Sequence, residues 1–458
     1  MMNTQPTWLS SLETLVSAGQ LDVQATRLHE HAVDGLIPRV IVYPESAEQV
    51  AAILHWAQRE KLALLPRGSG TKTRLGGIPR GLDVVLATGR LNEIREYDVA
   101  NFTLTAGAGV RFSAVAELTA AHGQTLPLQY AFSAATLGGL IATNASPPKR
   151  LLYGGVRDLL LGMRVALPSG EIAHFGGKVV KNVAGYDMCK LFLGSLGALG
   201  VVVEATCKLY ALPERDETQL AVFPSLGQGA AAVAQIAGTQ LLPSQILLLN
   251  PAAGSEFAPQ VAANMAAGGA LLVLNWEGMD EAVERQIIDG TRVCRGQGAV
   301  AVHQYAGEAQ VELRQRLAIF TPCSPRQTAR EPHLLVRLGT VPTRVPAAMD
   351  ALARLLGPLA PHALIAGDCG VGLVQLGLRQ SVAEAALTDQ SLLRSLRELP
   401  RVVAPEGGYA VVERAPLQVK EQLDVWGPPP ASFPLLQTLK KTLDPEGILS
   451  PGRFIGGL

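Results

Sequence analysis

The segment Pro66-Arg67-Gly68-Ser69-Gly70-Thr71-Lys72 follows a short apolar run, Ala63 to Leu65, and sets two glycines among hydroxyl and cationic side chains. Glycines let successive backbone N–H groups turn toward one point, so such a turn can cradle an anion such as phosphate. It lacks the Gly-Lys-Ser/Thr ending of a Walker loop, and no GxGxxG opens a helix after a first strand, so neither a P-loop nor a Rossmann site is indicated. Alone, it reads equally well as a tight turn. Three more glycine-rich segments follow: Ala135 to Asn144 with the pair Gly138-Gly139; Gly154-Gly155-Val156-Arg157-Asp158; and Gly176 to Asp187, continuing through Lys190 to Gly197-Ala198-Leu199-Gly200-Val201-Val202. Four such segments in a region of few charges argue for one extended ligand gripped by the backbone.

Reactive side chains are sparser. Arg337 stands inside Leu334-Leu335-Val336-Arg337-Leu338, where burial would demand an anionic partner such as a substrate carboxylate; an outward-facing arginine on an edge strand is the competing reading. His303, His333 and His362 are candidate bases, each weighed against a plain structural histidine. Lys178, Lys181 and Lys190 face either a ligand phosphate, a partner or solvent. The five cysteines, Cys189, Cys207, Cys294, Cys323 and Cys369, are scattered and form no CxxC pair, so neither a disulfide frame nor an iron–sulfur site is legible, and each reads as a small core hydrophobe. No metal site is expected.

These groups need elements to hold them. The 458 residues, 48% hydrophobic and 17% charged, are enough for two domains. From about Asp34 to Tyr210, β-branched runs alternate with glycine-rich turns and occasional helices, an α+β pattern. Ser46 and Gln49 form a capping box, and Val50, Ile53, Leu54 and Ala57 recur on one helical face. That helix precedes a strand from Ala63 ending at Pro66; further strands are expected at Val84 to Leu86, Thr103 to Ala106, Met163 to Leu167 and Val201 to Ala205. Beyond Pro213 the text turns Ala- and Gln-rich, with strands at Ala270 to Leu274 and Leu334 to Leu338. A helix from Phe433 to Leu443 stops at Asp444-Pro445. Lys plus Arg and Asp plus Glu both total 39, which excludes the positive field that holds nucleic acid. No apolar run approaches the roughly 20 residues of a spanning helix and Met1 to Glu13 carries no leader pattern, so a cytoplasmic protein is expected.

With these motifs in order, the sequence resembles the FAD-binding domain shared by vanillyl-alcohol oxidase, p-cresol methylhydroxylase (PCMH) and the D-lactate and glycolate dehydrogenases. Gly176 to Asp187, of the form GGKxVKNVAGYD, and the closing Asp444-Pro445-Glu446-Gly447-Ile448-Leu449-Ser450-Pro451-Gly452-Arg453 are similar to the glycolate-oxidase-like group, and to the smaller flavin subunit of bacterial glycolate oxidase in particular.

The resemblance implies a two-subdomain PCMH-type FAD-binding domain over residues 1–212, an α+β cap of the FAD-linked oxidase C-terminal type over 213–412, and a segment, 413–458, returning to the FAD domain. It implies that Pro66, Arg67, Gly68, Ser69, Gly70 and Thr71 hold the pyrophosphate, that Thr136, Gly138, Gly139 and Thr143 run beside the ribityl and flavin parts, and that Asp158 and Val202 lie near the cofactor. Some relatives tether FAD through a histidine in the first glycine loop; Ser69, Thr71 and Lys72 stand here, so non-covalent FAD is expected. The family's HxGDGNxH stretch corresponds to Ala366-Gly367-Asp368-Cys369-Gly370-Val371-Gly372-Leu373-Val374-Gln375, which has no histidine, and Leu196 replaces the Glu of GSEGTLG. Both departures favour a smaller subunit, with weak catalytic candidates in Arg337, His333 and His362. The implied activity is oxidation of a small 2-hydroxyacid of the glycolate or D-lactate type, with electrons passing through FAD to an iron–sulfur partner. A larger homologous flavin subunit completes the complex, peripheral to the inner membrane through its partners. The alternative is a non-catalytic flavin electron-transfer or structural subunit; a nucleotide-sugar or phosphate-binding enzyme ranks far below both.

Overall fold

The computed structural model describes residues 7–128, 133–178, 185–263, 265–317, 333–388 and 390–458. Its first sheet has the strand order Leu21–Asp22, Val40–Val42, Val84–Ala87, Leu64–Arg67, the last three parallel to one another. The helix Ala47–Glu60 starts where the sequence places it: Ser46 Oγ accepts from Gln49 N at 3.1 Å, while Gln49 reaches back to the N–H of Glu45 at 2.8 Å. Val50, Ile53, Leu54 and Ala57 are fully buried against the sheet. The strand Leu64–Arg67 runs past Pro66, where the sequence reading stops it. Pro66 sits on the sheet's edge strand, where a missing N–H costs no ladder bond.

A second, antiparallel sheet has the order Ile94–Asp98, Thr103–Gly107, Val201–Lys208, Leu160–Ala166, Ile172–Gly176. The third is an eight-stranded antiparallel sheet, ordered Ala301–Tyr305, Arg215–Phe223, Ala270–Gly278, Gln245–Leu249, Leu364–Asp368, Leu373–Leu378, Leu334–Gly339, Tyr409–Arg414. Because side chains alternate along a strand, each face of this sheet has its own character. One face, with Phe223, Leu272, Trp276, Val336 and Val412, is covered by the helices Leu226–Ala237, Asp280–Gly296, Val345–Leu356 and Ser391–Val403. The other is apolar at its centre, where Leu220, Val273 and Leu364 meet the helix Pro251–Phe257. Toward the first two sheets that same face turns polar, with Asp216, Asn275, Glu277, Arg337 and Glu413.

The chain from Leu417 onward packs back onto the first sheet. Leu64 N donates to Ile448 O at 2.8 Å and Ser450 N to Leu64 O at 2.9 Å, adding Leu449 in parallel beside the edge strand. Lys440 fixes this return: its buried ammonium donates to Asp444 Oδ2 at 2.5 Å, Ala198 O at 2.8 Å and Leu449 O at 2.9 Å. Among the described residues no helix is long and apolar enough to cross a membrane. Cys189, Cys207, Cys294 and Cys369 are buried and unpaired, and burial pushes the first three thiols up to about 11, 12 and 12. Cys323 and residues 179–184 of the GGKxVKNVAGYD run, Lys181 among them, lie outside the described residues.

Candidate functional site

The edge strand Leu64–Arg67 delivers the chain into the turn at Gly68 to Lys72, which faces the start of the helix Leu137–Ala142. Thr136 caps that helix by accepting from Gly139 N at 3.3 Å, and a Cβ on Gly68 would fall well inside contact distance of Thr136 Oγ1. Glycine at 68 is therefore a requirement of close backbone approach. Gly70, at φ +80°, stands over the Arg67 guanidinium, whose Nη1 donates to Glu30 O at 3.2 Å. Burial holds the Arg67 pKa below its ordinary value.

Between the two segments lies a cleft with about 650 Å³ of empty space. Pro66, Arg67, Gly68, Ser69, Gly70, Thr71, Thr136, Gly139 and Thr143 line it, together with the apolar side chains of Leu65, Leu75, Leu140 and Leu196. Around Gly68 and Ser69 it meets a second cleft of about 990 Å³ that is polar, lined by Asp22, Arg27, His31, Tyr43, Arg90 and Arg111. One flat apolar slot joined to one polar slot, with a glycine turn at the junction, fits a ligand that has an aromatic ring at one end, phosphate in the middle and a polar head. Gly138 lies behind the wall, its N–H given to Ala108 O at 2.8 Å. Asp158 is set apart from both clefts: its carboxylate accepts from Gly155 N at 2.8 Å and caps the turn Val156–Leu159. Val202 is buried within the antiparallel sheet beside Val165.

Sequence reasoning missed the residues that hold the cleft's floor. Asp34, at φ +48°, is in the connection between the strands Leu21–Asp22 and Val40–Val42, and it collects two cations from the far end of the chain. The fully buried Lys420 ammonium donates to Asp34 Oδ1 at 3.1 Å and Oδ2 at 2.9 Å, and to the carbonyls of Arg74 at 2.8 Å and Gly76 at 3.0 Å. Arg453 donates to the carbonyls of Thr73, at 2.6 Å, and Leu75, and its Nη1 is 3.9 Å from Asp34. Burial pulls the Arg453 pKa down to about 10. The loop from Thr73 to Gly76, which continues the glycine turn, is thus clamped by residues from the far end of the chain. The only sequence signal was Arg453 closing the terminal motif.

On the cap side, Arg337 finds its anion within the chain. Its Nη1 is 3.2 Å from Glu413 Oε1, and Lys72 Nζ, on the cofactor cleft, is 3.9 Å from Glu413 Oε2. Burial alone would raise the Glu413 carboxyl, but Arg337, Lys72 and Arg414 overcome it and hold it below the usual carboxylate range. His333 lines a separate polar cleft of about 1090 Å³ on the reverse side of the glycine turn, with Arg67, Thr71 and Thr73. Burial, then Arg74 and Arg414, lower its pKa against the pull of Glu384, and its Nδ1 is buried with no hydrogen-bond partner. His362 and His303 are exposed and line none of these clefts. Farther along the sheet, Lys149 donates to Asp216 at 3.0 Å and to Glu277, and Arg314 grips Asp216 through both terminal nitrogens. At the turn that replaces the histidine motif, Gly370 backs directly onto Leu151, and burial raises Asp368 to about 7.

Comparison with known proteins agrees with this geometry. Residues 38–176 match an FAD binding domain, and residues 212–336 and 428–454 match the C-terminal domain of FAD linked oxidases. The D-lactate dehydrogenase of Archaeoglobus fulgidus is 30% identical, covering 91% of each chain. The glycolate oxidase subunit GlcD of Bacillus subtilis is 25% identical over 91% of this chain and 89% of its own, and the D-2-hydroxyglutarate dehydrogenase of Xanthomonas citri is 27% identical over 97% and 96%. Among solved structures, p-cresol methylhydroxylase with substrate bound superposes with a TM-score of 0.75 at 15% identity, covering 97% of this chain and 96% of that one. Fold and clefts together define a PCMH-type FAD-binding scaffold with a sheet-based cap. The chain belongs to the FAD-linked oxidase family: it is an FAD-dependent oxidoreductase.

Proposed function

We propose that this chain is the FAD-binding subunit of a 2-hydroxyacid dehydrogenase of the glycolate or D-lactate type. The observation that carries the reading is the apolar cleft meeting Lys72, Arg337 and Glu413 at the polar edge of the cap sheet. When bound, FAD supplies the acceptor for the hydride equivalent from the carbinol carbon. In this reading the turn from Pro66 to Thr71 holds the pyrophosphate, Arg67 from within the turn, while Thr136, Gly139, Thr143 and the leucines flank the ring; Gly138 backs the wall, and Asp158 and Val202 stand apart from the ligand. The cofactor is non-covalent, because Ser69, Thr71 and Lys72 occupy the loop where relatives place a tethering histidine. The iron–sulfur acceptor belongs to a partner chain, alongside a larger homologous flavin subunit; the scattered cysteines, four of them buried singly, support this reading. Through such partners the complex would sit at the inner membrane.

A second reading, a flavin subunit that leaves substrate oxidation to its partner, is favoured by the turn from Ala366 to Gln375. It carries no histidine, and Leu151 fills the space against Gly370. Anaerobic stopped-flow absorbance on the FAD-loaded chain, mixed in turn with glycolate, D-lactate, L-lactate and a larger 2-hydroxyacid, separates the two. Rapid bleaching by one acid supports a substrate site in this chain. Bleaching only after partner subunits are added supports the second reading.

A further inference from the structure

A cation that waits for a substrate carboxylate is short of an anion when the substrate is away, and Arg337 and Lys72 are not. Glu413 comes from the last strand of the cap sheet, and its side chain is 7% exposed between Arg337 at 15% and Lys72 at 13%. The three meet across the seam between the cap sheet and the glycine turn. The crevice there is lined by Thr71, Lys72, Arg74, Leu75, Leu335, Glu413 and Arg414, and shares Thr71, Lys72 and Leu75 with the first cleft. It is therefore a side pocket of that cleft with an anionic group, Glu413, already in its wall. Arg337 has a further buried nitrogen, Nε, with no hydrogen-bond partner. It is turned toward Glu413 through Nη1 alone.

The geometry points to Glu413 as an internal occupant of the carboxylate seat, a specificity-determining residue that pairs with Arg337 and Lys72 in place of a hydroxyacid carboxylate. This rests on the reading of the first cleft as the seat of the flavin ring. A substrate carboxylate entering the crevice would bring two buried anions together, which like-charge repulsion disfavours. Small carboxylates then bind this chain weakly until Glu413 is neutralised.

The test titrates oxalate, a small carboxylate with no carbinol hydrogen to lose, into FAD-loaded protein and follows the flavin absorbance. FAD loading is read first, so a chain that fails to bind flavin overturns the functional reading and not this one. The wild type is expected to show no saturable change in the millimolar range. Glu413→Gln, which keeps the shape and removes the charge, is expected to bind oxalate at least about tenfold tighter. The added change Arg337→Met is expected to abolish that gain. Saturable wild-type binding lost in Arg337→Met overturns the proposal, as does a loaded Glu413→Gln protein with no gain. If that variant loses its flavin, Glu413→Ala takes its place and the wild-type titration still decides.

Discussion

Replacing Lys420 with methionine keeps the length of the side chain and removes its charge, so it isolates the clamp on the cofactor loop. The ammonium is fully buried and makes contacts of 2.8 to 3.1 Å with both Asp34 oxygens and the carbonyls of Arg74 and Gly76. Breaking a buried pair from one side costs about 3–5 kcal/mol, because the remaining charge stays buried. Arg453 at 3.9 Å keeps part of Asp34 compensated, which places the expected loss near the lower end, about 3 kcal/mol. Since Lys420 acts through loop carbonyls rather than on the ligand, FAD affinity should fall with stability, by at least about tenfold. Urea unfolding followed by circular dichroism gives the first quantity and flavin fluorescence titration the second. The pair Asp34→Asn with Lys420→Met should cost less than the sum of the single changes by about 2 kcal/mol. A Lys420→Met protein that loses under about 1 kcal/mol and keeps its flavin affinity would refute the clamp.

Other expectations follow from single contacts. Gly68→Ala should yield protein purified without flavin colour, because its Cβ collides with Thr136 Oγ1, whereas Gly296→Ala, with nothing within 4 Å and away from both clefts, should purify yellow. Asp368, raised by burial to about 7, is more protonated folded than unfolded, so its contribution is full below its unfolded value near 3.8 and is lost as pH rises through 7. Asp368→Asn should therefore stabilise the protein at pH 8, by at most about 4 kcal/mol, and leave urea midpoints at low pH unchanged. His362→Ala should leave stability within about 0.5 kcal/mol of wild type and the rate of flavin reduction unaltered; a large change in rate would restore His362 as a base.

Local signals were legible wherever neighbours in sequence were also neighbours in space. Ser46 and Gln49 announced the helix at Ala47, and the helix Phe433–Leu443 has the limits its periodicity and Asp444-Pro445 implied. The glycine turn was readable as a turn because its demands are local ones on the backbone, with Gly70 at φ +80°. Pro66 misled, since a proline marks a strand's end only where a neighbouring strand needs the N–H that proline lacks, and which strand lies at an edge is a tertiary fact. Arg337 was read either as an outward-facing arginine on an edge strand or as a partner for a substrate carboxylate; its strand Leu334–Gly339 is paired on both sides, which buries the side chain and brings Glu413 to it, and that pairing is a tertiary fact. Asp34 and Lys420 gave no signal, because their partnership exists only after the chain has returned to its starting domain.

That return has a consequence for timing. The hydrogen bonds that set the loop after the glycine turn span 346 residues from Lys420 to Arg74 and 380 from Arg453 to Thr73. During synthesis the first two sheets emerge and pack early. On the proposed reading, their flavin slot has no finished floor until residue 453 has left the ribosome. FAD capture would then be a late event: a polypeptide stalled inside the cap would display a folded nucleotide domain that cannot keep its flavin.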